Sequence, residues 1–380
     1  MALKKWLVVF IVFIVSNGLL YAQEAASVSL VFVGDVMGHG TQIKSAFVPE
    51  TKQYSYEGCF KYVRNIFEEA DFTIANLEVT LAGPPFKGYP QFSSPDALAI
   101  AMKDAGVNAM VTANNHCVDR RRKGLERTID VLDSLAIPHT GTFKNQSDNE
   151  RNNPMLLRKN GIKIALINYT YGTNGIPVSK PNVVNFLEKD VVVADIEKAK
   201  KLRPDKIIAF VHWGLEYQTQ ANKEQKMFNQ VFKENGVDVV IGSHPHVVQP
   251  IEYEEDHFVV YSLGNFISNQ RTAPRDGGVM VRLELTKIGD KTEVSDAGYY
   301  LTWVYTPIIN GKKEFMVLPV TAFEQDAQFM DAKAHKRLIK YGQEARNIYK
   351  NNIKIKEYFF DKNLPGWVKN SPLLSGVGQP

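Results

Sequence analysis

The first two thirds of the chain alternate between short apolar segments and segments with the 3.6-residue period of an amphipathic helix. The apolar segments are rich in valine and isoleucine and are nearly continuous, which is typical of strands covered on both faces. The predicted strands are 28–33, 72–75, 107–112, 162–168, 207–212, 237–241 and 258–262, and the predicted helices are 57–69, 124–135, 190–201 and 221–235. This order predicts an α/β fold.

The last third of the chain has a different pattern. Apolar and polar residues alternate over 279–286 and 298–306, which predicts antiparallel strands that close the sheet. The sequence pattern over 326–349 predicts one long charged helix. The glycine-rich sequence over 375–380 predicts a frayed tail. No internal repeat or long linker divides the sequence. We therefore expect one domain over 27–322, followed by a C-terminal helical extension and tail over 323–380.

The first 22 residues have the three-part pattern of an export signal. Lys4 and Lys5 precede an apolar run over 6–15, and Ala22 ends the segment with a small side chain. This pattern predicts cleavage after Ala22 and a periplasmic or secreted protein. An uncleaved membrane anchor is the alternative, although the apolar run is shorter than the ~20 residues of a spanning helix.

Composition narrows the class of protein. With 44% hydrophobic and 23% charged residues, the chain can bury a sizeable core. The formal charge of +4, from 45 basic and 41 acidic residues, implies no nucleic-acid partner. Two cysteines exclude a disulfide scaffold and cysteine-rich metal sites. An exported protein could pair Cys59 with Cys117, but we favour two free thiols.

Polar residues that could bind a metal or move a proton follow most of the predicted strands. They are Asp35, Glu78, Asn115, His116, His212, His244 and His246. Open α/β sheets place their ligands at the carboxyl ends of strands, so we expect these side chains to converge. Each residue alone is a weak signal, since a lone Asp usually caps a helix or forms a turn. As a set of oxygen and nitrogen donors without thiolates, they predict a zinc, manganese or iron(II) site.

The segment His244-Pro245-His246 adds a geometric hint. Alternate residues of an extended segment point the same way, and Pro245 favours an extended conformation for His244. We therefore expect an extended segment with both histidines on the same side.

Several nearby residues have two interpretations. Cys117 follows a candidate histidine and could be a nucleophile, but a buried apolar cysteine is the favoured interpretation. Arg120 begins a run of four basic residues that could attract an anionic polymer or form a solvated helix start. Trp213 could stack on a sugar or pack a strand end, and Glu216 and Tyr217 could line a substrate groove.

The motifs at the strand ends resemble those of the poly-γ-glutamate capsule-biosynthesis (CapA-type) family, a branch of the calcineurin-like metallophosphoesterase superfamily. Six motifs carry the resemblance, in the order Gly34-Asp35-Val36-Met37, Asn76-Leu77-Glu78, Asn114-Asn115-His116, His212-Trp213-Gly214-Leu215-Glu216-Tyr217, Gly242-Ser243-His244-Pro245-His246-Val247 and Ser262-Leu263-Gly264-Asn265-Phe266. The resemblance runs from Ser29 to Thr286. It implies a metallophosphoesterase-like sandwich of two mixed sheets flanked by helices.

The resemblance also implies roles for individual residues. His116 corresponds to the superfamily's non-ligand histidine, which protonates the leaving group. Glu78 stands in the place of a bridging Asp. The implied ligands of one or two divalent ions (Zn, Mn or Fe) are Asp35, Glu78, Asn115, His212, His244 and His246. The expected substrate-binding residues are Asn114, Arg120, Trp213, Glu216, Tyr217 and Asn265.

One position departs from the superfamily pattern. The superfamily usually begins with Asp-x-His, but Met37 occupies the position of that histidine. His39 could replace the missing ligand, or it could belong to a turn between Gly38 and Gly40. The number of metal ions therefore stays open.

The function implied by the resemblance is an exported metal-dependent hydrolase that cleaves a phosphoester or amide bond in an anionic polymer or cell-surface precursor. The alternative is a non-catalytic polymer-binding component of a capsule export assembly. The filled ligand positions favour catalysis, whereas Met37 favours the alternative. Polyglutamate itself need not be the substrate.

Overall fold

A computed structural model describes residues 25–254, 256–350 and 354–360. The predicted export signal, its cleavage position after Ala22 and the glycine-rich tail lie outside these residues. Within the described ranges, no helix has both the length and the apolar character needed to cross a membrane.

Strands and helices alternate along most of the described chain. The strands are β1 (Ala26–Val36), β2 (Phe47–Val48), β3 (Gln53–Tyr54), β4 (Phe72–Leu77), β5 (Ala109–Val111), β6 (His139–Thr140), β7 (Thr142–Phe143), β8 (Met155–Lys159), β9 (Ile162–Thr170), β10 (Val183–Val184), β11 (Lys206–His212), β12 (Val239–Ser243), β13 (Ile251–Glu254), β14 (His257–Val260), β15 (Asn265–Ile267), β16 (Gly277–Ile288), β17 (Lys291–Tyr305), β18 (Ile308–Ile309), β19 (Lys312–Lys313), β20 (Met316–Pro319) and β21 (Lys356–Glu357). The helices are α1 (Gly40–Ala46), α2 (Glu57–Phe60), α3 (Arg64–Glu68), α4 (Ala97–Asp104), α5 (Arg121–Ser134), α6 (Gln146–Asn152), α7 (Lys189–Lys201), α8 (Lys223–Glu234), α9 (Val320–Phe323) and α10 (Ala332–Tyr349).

Most of the strands belong to two mixed sheets. In the larger sheet the order is β20-β17-β16-β1-β4-β5-β6, with β15 paired to the end of β1 and β21 paired to β17. Here β1, β4, β5 and β6 run parallel, while β16 is antiparallel to both β1 and β17. In the smaller sheet the order is β13-β14-β12-β11-β9-β8, with a parallel centre and antiparallel edges. The expected sandwich of two mixed sheets is confirmed, and so is the antiparallel pairing of the last strands.

Apolar side chains fill the space between the sheets and cover their outer faces. Between the sheets, the ring of Phe32 on β1 lies 6.3 Å from the ring of Phe210 on β11. Val31 and Val33 point to the opposite face of β1, against the layer that contains α2, α3 and α4. On the outer face of the smaller sheet, Phe232 of α8 is fully buried. The central strands are therefore covered on both faces, as their continuous apolar sequence predicts.

The C-terminal helix α10 packs against the larger sheet. It begins later than predicted because the side chain of Asp331 accepts a hydrogen bond from Ala334 N (2.9 Å) and caps the helix there. Leu338 is fully buried in the same hydrophobic cluster as Phe32. The helical extension thus shares the core of the sandwich, and the exact domain limits stay predictions.

Two helices differ from the sequence prediction. The single helix predicted over 57–69 is two short helices, α2 and α3, separated by a turn. The turn keeps Phe60 and Phe67 buried in one cluster, so the apolar spacing could not reveal the break. Helix α4 was not predicted, because its alanine-rich sequence gives little contrast between its buried and exposed sides.

We expect Leu338→Ala to lower the free energy of unfolding by about 2–5 kcal/mol, because it removes buried apolar contacts and leaves a cavity. Urea unfolding followed by circular dichroism measures the change. Lys336→Ala, at an exposed position of the same helix, is the matched control and should leave the midpoint almost unchanged. Equal midpoints for the two variants would show that α10 is not part of the cooperative core.

Candidate metal centre

The predicted site residues lie at one end of the sandwich, where strand ends of both sheets meet. The larger sheet supplies Asp35 at the end of β1, Glu78 directly after β4 and Asn115 after β5. The smaller sheet supplies His212 at the end of β11 and His244 directly after β12. All five side chains are buried. The sequence prediction that these residues converge at the carboxyl ends of the strands therefore agrees with the geometry.

A close approach of two segments fixes the end of β1. A Cβ atom at Gly34 would lie 2.0 Å from the carbonyl oxygen of Gly264, so a larger residue does not fit there. The backbone N of Asp35 donates a hydrogen bond to the same oxygen (3.0 Å). The Asp35 carboxylate is thereby held at the edge of the site.

Glu78 is shared by two sets of ligand atoms. One set joins it to His212 and His244, and the other joins it to Asp35 and His246, with the ligand atoms of each set within 4.8 Å of one another. Glu78 is fully buried, and neither of its carboxylate oxygens has a hydrogen-bond partner. Burial and the nearby charge of Asp35 raise the pKa of Glu78 well above its usual value. A divalent cation between these side chains would compensate the buried carboxylate, so the donors fit a metal.

Asp35 differs from Glu78 because its oxygens have partners. Asn76 Nδ2 donates to Asp35 Oδ1 at 2.8 Å, and His246 Nδ1 lies 3.0 Å from Asp35 Oδ2. Burial disfavours the charged carboxylate, but the contacts with His246, His212 and Asn76 together outweigh burial and lower the pKa of Asp35. His246 Nε2 lies 3.8 Å from Glu78 Oε1, so the imidazole connects the two carboxylates. Asn76 was not predicted as a site residue, although it begins one of the motifs.

His212 and His244 form the other part of the site. His212 Nδ1 lies 3.0 Å from Ser243 Oγ, and His212 Nε2 lies 2.9 Å from Asn115 Oδ1 and 3.5 Å from Glu78 Oε1. Burial lowers the pKa of His212 to about 3. Burial, followed by the neighbouring imidazoles, lowers the pKa of His244 well below its usual value. Both imidazoles are therefore neutral near pH 7, which is the form that binds a metal.

The backbone at residues 244–246 differs from the sequence prediction. His244 has φ of 99° and His246 has φ of 57°, whereas an extended segment has negative φ. The prediction of an extended segment is wrong. The two rings still lie 6.0 Å apart, and each belongs to one of the two ligand sets. Such left-handed conformations are costly for residues other than glycine and are concentrated at functional sites.

His116 lies beside these sets, and within the described residues it belongs to neither of them. Its Nδ1 lies 2.7 Å from Asp119 Oδ2, which also accepts a hydrogen bond from Phe92 N (2.7 Å). The Phe92 ring packs edge-on against the imidazole, with centroids 4.6 Å apart. Asp119 therefore orients His116 and holds a proton on Nδ1, which leaves Nε2 for proton transfer. Asp119 was not predicted as a site residue, although an Asp three residues after a candidate histidine could have suggested the pair.

Met37 and His39 do not extend the ligand set. Met37 is buried in the apolar cluster on the outer side of the larger sheet. His39 caps α1, where its backbone N donates to Gln42 Oε1 (2.9 Å) and its Nδ1 accepts from Asn269 N (3.3 Å). Burial lowers the pKa of His39 to about 4. His39 therefore belongs to a turn at the start of a helix. Within the described residues it is in neither ligand set.

Two half-exposed tyrosines flank the site. The ring of Tyr171 lies 4.6 Å from the ring of His244, and burial raises the pKa of its phenol to about 12. The ring of Tyr217 lies 6.2 Å from the ring of His246, and Glu216 is exposed next to it. The predicted position of Glu216 and Tyr217 at the site is consistent with this geometry. Tyr171 was missed because no motif distinguishes it from other tyrosines that follow strands.

Two other predicted substrate-binding residues have polar groups that form hydrogen bonds with other protein atoms. Trp213 is fully buried, and its Nε1 donates to Tyr261 O (2.9 Å), so it packs the strand end and the prediction of substrate contact is wrong. Asn114 is also fully buried. Its Nδ2 donates to Leu77 O (2.8 Å) and its Oδ1 accepts from His116 N (3.1 Å), so Asn114 shapes the loop that carries His116.

Asn265 acts as a tether between two segments at the site. It is fully buried, and its Nδ2 donates to His246 O (3.3 Å), to Arg275 O (2.8 Å) and to Gln270 Oε1 (3.1 Å). The predicted contact of Asn265 with substrate therefore has no support from its amide nitrogen. Its position explains instead how the loop after β15 is held against the ligand segment.

The remaining alternatives concern Arg120 and the cysteines. Arg120 precedes α5 and is partly exposed, so it stands at a helix start, and its contact with an anionic polymer stays a prediction. Cys59 and Cys117 are both free. Burial raises the pKa of each thiol to about 12, which disfavours a nucleophilic role for Cys117.

Comparison with known proteins identifies the family. Residues 29–270 match the model of the bacterial capsule synthesis protein PGA_cap family. The chain belongs to this family. The PGA biosynthesis protein CapA of Bacillus subtilis (strain 168) is 28% identical over 277 residues, which cover 71% of this chain and 70% of that protein. The capsule biosynthesis protein CapA of Bacillus anthracis is 25% identical over 278 residues, which cover 70% of this chain and 66% of that protein. The resemblance to the CapA-type family is confirmed.

Two solved structures are more distantly similar to this PGA_cap family member. Haemophilus influenzae NAD nucleotidase (NadN) has a TM-score of 0.46 at 15% identity, over 87% of this chain and 64% of that chain. The calcineurin-like phosphoesterase YfkN from Bacillus subtilis has a TM-score of 0.44 at 15% identity, over 85% of this chain and 99% of that chain. At these scores the likeness adds nothing to what the strand order and the site residues show.

We expect Glu78→Met and Asp35→Ala both to lower the metal content of the purified PGA_cap family member, because each removes a ligand. Their effects on the chelator-treated protein should be opposite. Glu78→Met removes a buried carboxylate without a partner and should raise the free energy of unfolding by about 1–3 kcal/mol. Asp35→Ala leaves Asn76 and His246 without their acceptor and should lower it by a similar amount.

Elemental analysis measures the metal, and thermal unfolding with and without chelator measures stability. His212→Ala and His246→Ala should also reduce bound metal. If all four variants keep the wild-type metal content, the ligand assignment is wrong.

Proposed function

We propose that this PGA_cap family member is a metal-dependent hydrolase that cleaves a phosphoester or amide bond in capsule or cell-surface polymer biosynthesis. The observation that carries the proposal is the buried Glu78 carboxylate, shared by two ligand sets and left without a hydrogen-bond partner. His116, which Asp119 orients and which belongs to neither ligand set of the described residues, is an electrostatic neighbour of His212 and His244. A platform that only binds polymer has no need of this arrangement.

The donor sets suit two divalent ions that share Glu78. The proposed ligands of one ion are Asp35, Glu78 and His246, and those of the other are Glu78, His212 and His244. Asn115, whose Oδ1 lies 2.9 Å from His212 Nε2, is a further proposed oxygen ligand beside the second set. Oxygen and nitrogen donors without thiolates are appropriate for zinc, manganese or iron. Such ions, when bound, polarise a phosphoryl or carbonyl oxygen and lower the pKa of water.

His116 is the proposed general acid. Asp119 Oδ2 accepts a hydrogen bond from His116 Nδ1–H and fixes the plane of the ring, and Phe92 packs against the side of the ring. The opposite nitrogen can then give a proton to a departing oxygen or nitrogen. His212 and His244 are neutral near pH 7 and do not compete as acids.

The polymer and the compartment belong to the same proposal. The family description and the names of both Bacillus relatives refer to capsule or PGA biosynthesis. An anionic polymer or its cell-surface precursor is therefore the proposed substrate. The N-terminal sequence pattern supports export to the periplasm or the exterior, with cleavage after Ala22.

Met37 favours a second function, that of a non-catalytic polymer-binding component of a capsule export assembly. Because Met37 is buried among apolar side chains, the Asp35 set lacks the nitrogen ligand that the superfamily pattern places there. The two functions differ in a simple measurement. Purified protein that holds no metal and cleaves none of a panel of phosphodiesters and amides would favour the binding component.

We expect His116→Ala to keep its metal and to lose turnover by roughly 10²- to 10⁴-fold, which is the usual contribution of general acid catalysis. The loss should be smallest for substrates whose leaving group needs no proton, such as 4-nitrophenyl esters. Asp119→Asn should show the same dependence on the leaving group with a smaller loss, because it disturbs only the orientation of the ring.

Steady-state kinetics on esters with graded leaving groups measures this dependence. His139→Ala, which removes a histidine on the short edge strand β6, is the control. If His116→Ala keeps its turnover and only melts at a lower temperature, His116 has a structural role and the mechanism is wrong.

We expect exported protein to begin at Gln23, because the small side chain of Ala22 ends the predicted signal. Intact-mass measurement of protein recovered outside the cytoplasm checks this. A recovered mass that includes Lys4 and Lys5 would show an uncleaved anchor.

A further inference from the structure

A cationic side chain lies close to the metal centre and takes no part in the function described so far. The guanidinium carbon of Arg275 lies 4.1 Å from the centroid of the Tyr217 ring. That ring lies 6.2 Å from the ring of the proposed ligand His246. Only one side chain therefore separates the guanidinium from the Asp35 set.

The backbone of Arg275 is tied to the site by buried hydrogen bonds. Asn265 Nδ2 donates to Arg275 O at 2.8 Å and to His246 O at 3.3 Å. Asn265 is itself paired with Asp35 between β15 and β1. The loop that carries Arg275 is thus fixed relative to two of the proposed ligands, as a positioned recognition group requires.

Tyr217 provides a similarly fixed support for the guanidinium. It adopts a left-handed conformation with φ of 67°, which is uncommon for a bulky residue, and its N donates to Pro245 O (2.8 Å). Tyr217 is 42% exposed, so part of this residue faces the solvent at the rim of the site. Stacking on an aromatic face holds a guanidinium while leaving its N–H groups available.

The charge of Arg275 is not neutralised by an ion pair within the described residues. Glu216 also contacts the Tyr217 phenol, but its side chain is exposed and makes no ion pair with Arg275 there. Arg271, on the same loop, has a buried Nη1 atom without a hydrogen-bond partner. The Nη1 atom of Arg271 is enclosed by the protein, whereas Arg275 is partly exposed and contacts the Tyr217 side chain, so Arg275 is the cation that a substrate can reach.

A role in packing alone is the competing explanation for Arg275. If Arg275 only packed on Tyr217, its aliphatic stem and flat face would be sufficient, and a glutamine partly supplies both. The planar fork of N–H donors, in contrast, matches the two oxygens of a carboxylate or phosphate.

We propose that Arg275, stacked on Tyr217, binds a carboxylate or phosphate oxyanion of the substrate next to the bond that is cleaved, and so selects anionic over neutral substrates. This inference rests on the proposed hydrolase function. It adds a specificity-determining residue that lies outside all six sequence motifs.

The test compares substrates that share one scissile bond. Three 4-nitrophenyl phosphodiesters are used, whose second alcohol carries a carboxylate, a phosphate or a neutral methyl ester. The readout is the ratio of kcat/KM for each anionic ester to kcat/KM for the neutral one, with metal-loaded protein. A change in metal content or folding alters the turnover of all three esters alike, so it cancels in this ratio.

We expect Arg275→Gln to lower this ratio roughly 10- to 100-fold in at least one anionic arm, as for the loss of a charge-assisted hydrogen bond. The ratio for Arg275→Lys should fall between the ratios for wild type and Arg275→Gln, because lysine keeps the positive charge but lacks the planar fork of N–H donors. Glu216→Gln should raise the ratio about 2- to 5-fold, because it removes a nearby like charge. Arg151→Gln, at an exposed position on α6, is the matched control and should leave the ratio unchanged.

The arms also identify the oxyanion. A loss confined to the carboxylate arm indicates a polycarboxylate, and a loss confined to the phosphate arm indicates a phosphodiester polymer. An Arg275→Gln ratio equal to that of wild type in both arms would overturn the inference.

A separate measurement distinguishes this failure from failure of the proposed function. If wild type cleaves none of the esters, calorimetric titration of metal-loaded protein with a γ-linked glutamate pentamer and a glycerol-phosphate pentamer replaces turnover. Weaker binding by Arg275→Gln than by Arg151→Gln would then support recognition by Arg275. Equal binding would reject it.

Discussion

The Glu78 carboxylate lies between the ends of the two sheets, fully buried and without a hydrogen bond to either oxygen. A charged carboxylate without a partner is so unfavourable inside a protein that burial, together with the nearby charge of Asp35, raises the pKa of Glu78 well above its usual value and favours the neutral acid in the absence of a cation. His212 reaches Glu78 from the smaller sheet at 3.5 Å, and His246 reaches it at 3.8 Å. The arrangement has a physical purpose only if a cation completes it. The two ligand sets and the neutral imidazoles around Glu78 are what such a cation would need.

A site built from two sheets requires that the sheets keep a fixed relation to each other. Asn168 on β9 supplies one such connection, because its Oδ1 accepts hydrogen bonds from Thr112 N (3.2 Å) and Ala113 N (2.7 Å). Its Nδ2 donates to Phe210 O on β11 (2.9 Å). The amide thus links the end of β5 to two strands of the smaller sheet directly before the loop that carries His116. Buried networks of this kind confer a unique geometry when every member is satisfied.

The sequence predicted the fold well, and it predicted the position of the polar side chains at the strand ends, because both depend on patterns that are local in the chain. Continuous apolar strands predicted the doubly covered sheets, and polar residues directly after those strands, such as Asp35 and His212, predicted the site. Asp119 and Tyr171 were missed because their roles depend on neighbours that only tertiary structure brings together. Trp213 was predicted in part to contact substrate because it belongs to one of the six motifs. Its own side chain, however, packs into the core.

The conformation at residues 244–246 shows a further limit of local patterns. Alternation along the chain predicted an extended segment with both histidines on one side, whereas each histidine belongs to a different ligand set. Proline restricts the residue before it, yet His244 has a positive φ that the local sequence did not predict. Sequence patterns report which residues a site uses more reliably than how the backbone presents them.

The position of β1 has a consequence for the order in which the protein acquires its structure. On one side, the central strand of the larger sheet pairs Ala26 with Lys287 of β16, so this neighbour is synthesised only after most of the chain, whereas β4 on the other side is close in sequence. The strands of the smaller sheet all lie between Met155 and Val260, close together in sequence. Contacts between distant residues form slowly because a long loop must close first. The smaller sheet is therefore expected to assemble first and to serve as the surface on which the larger sheet, and with it the metal centre, is completed last.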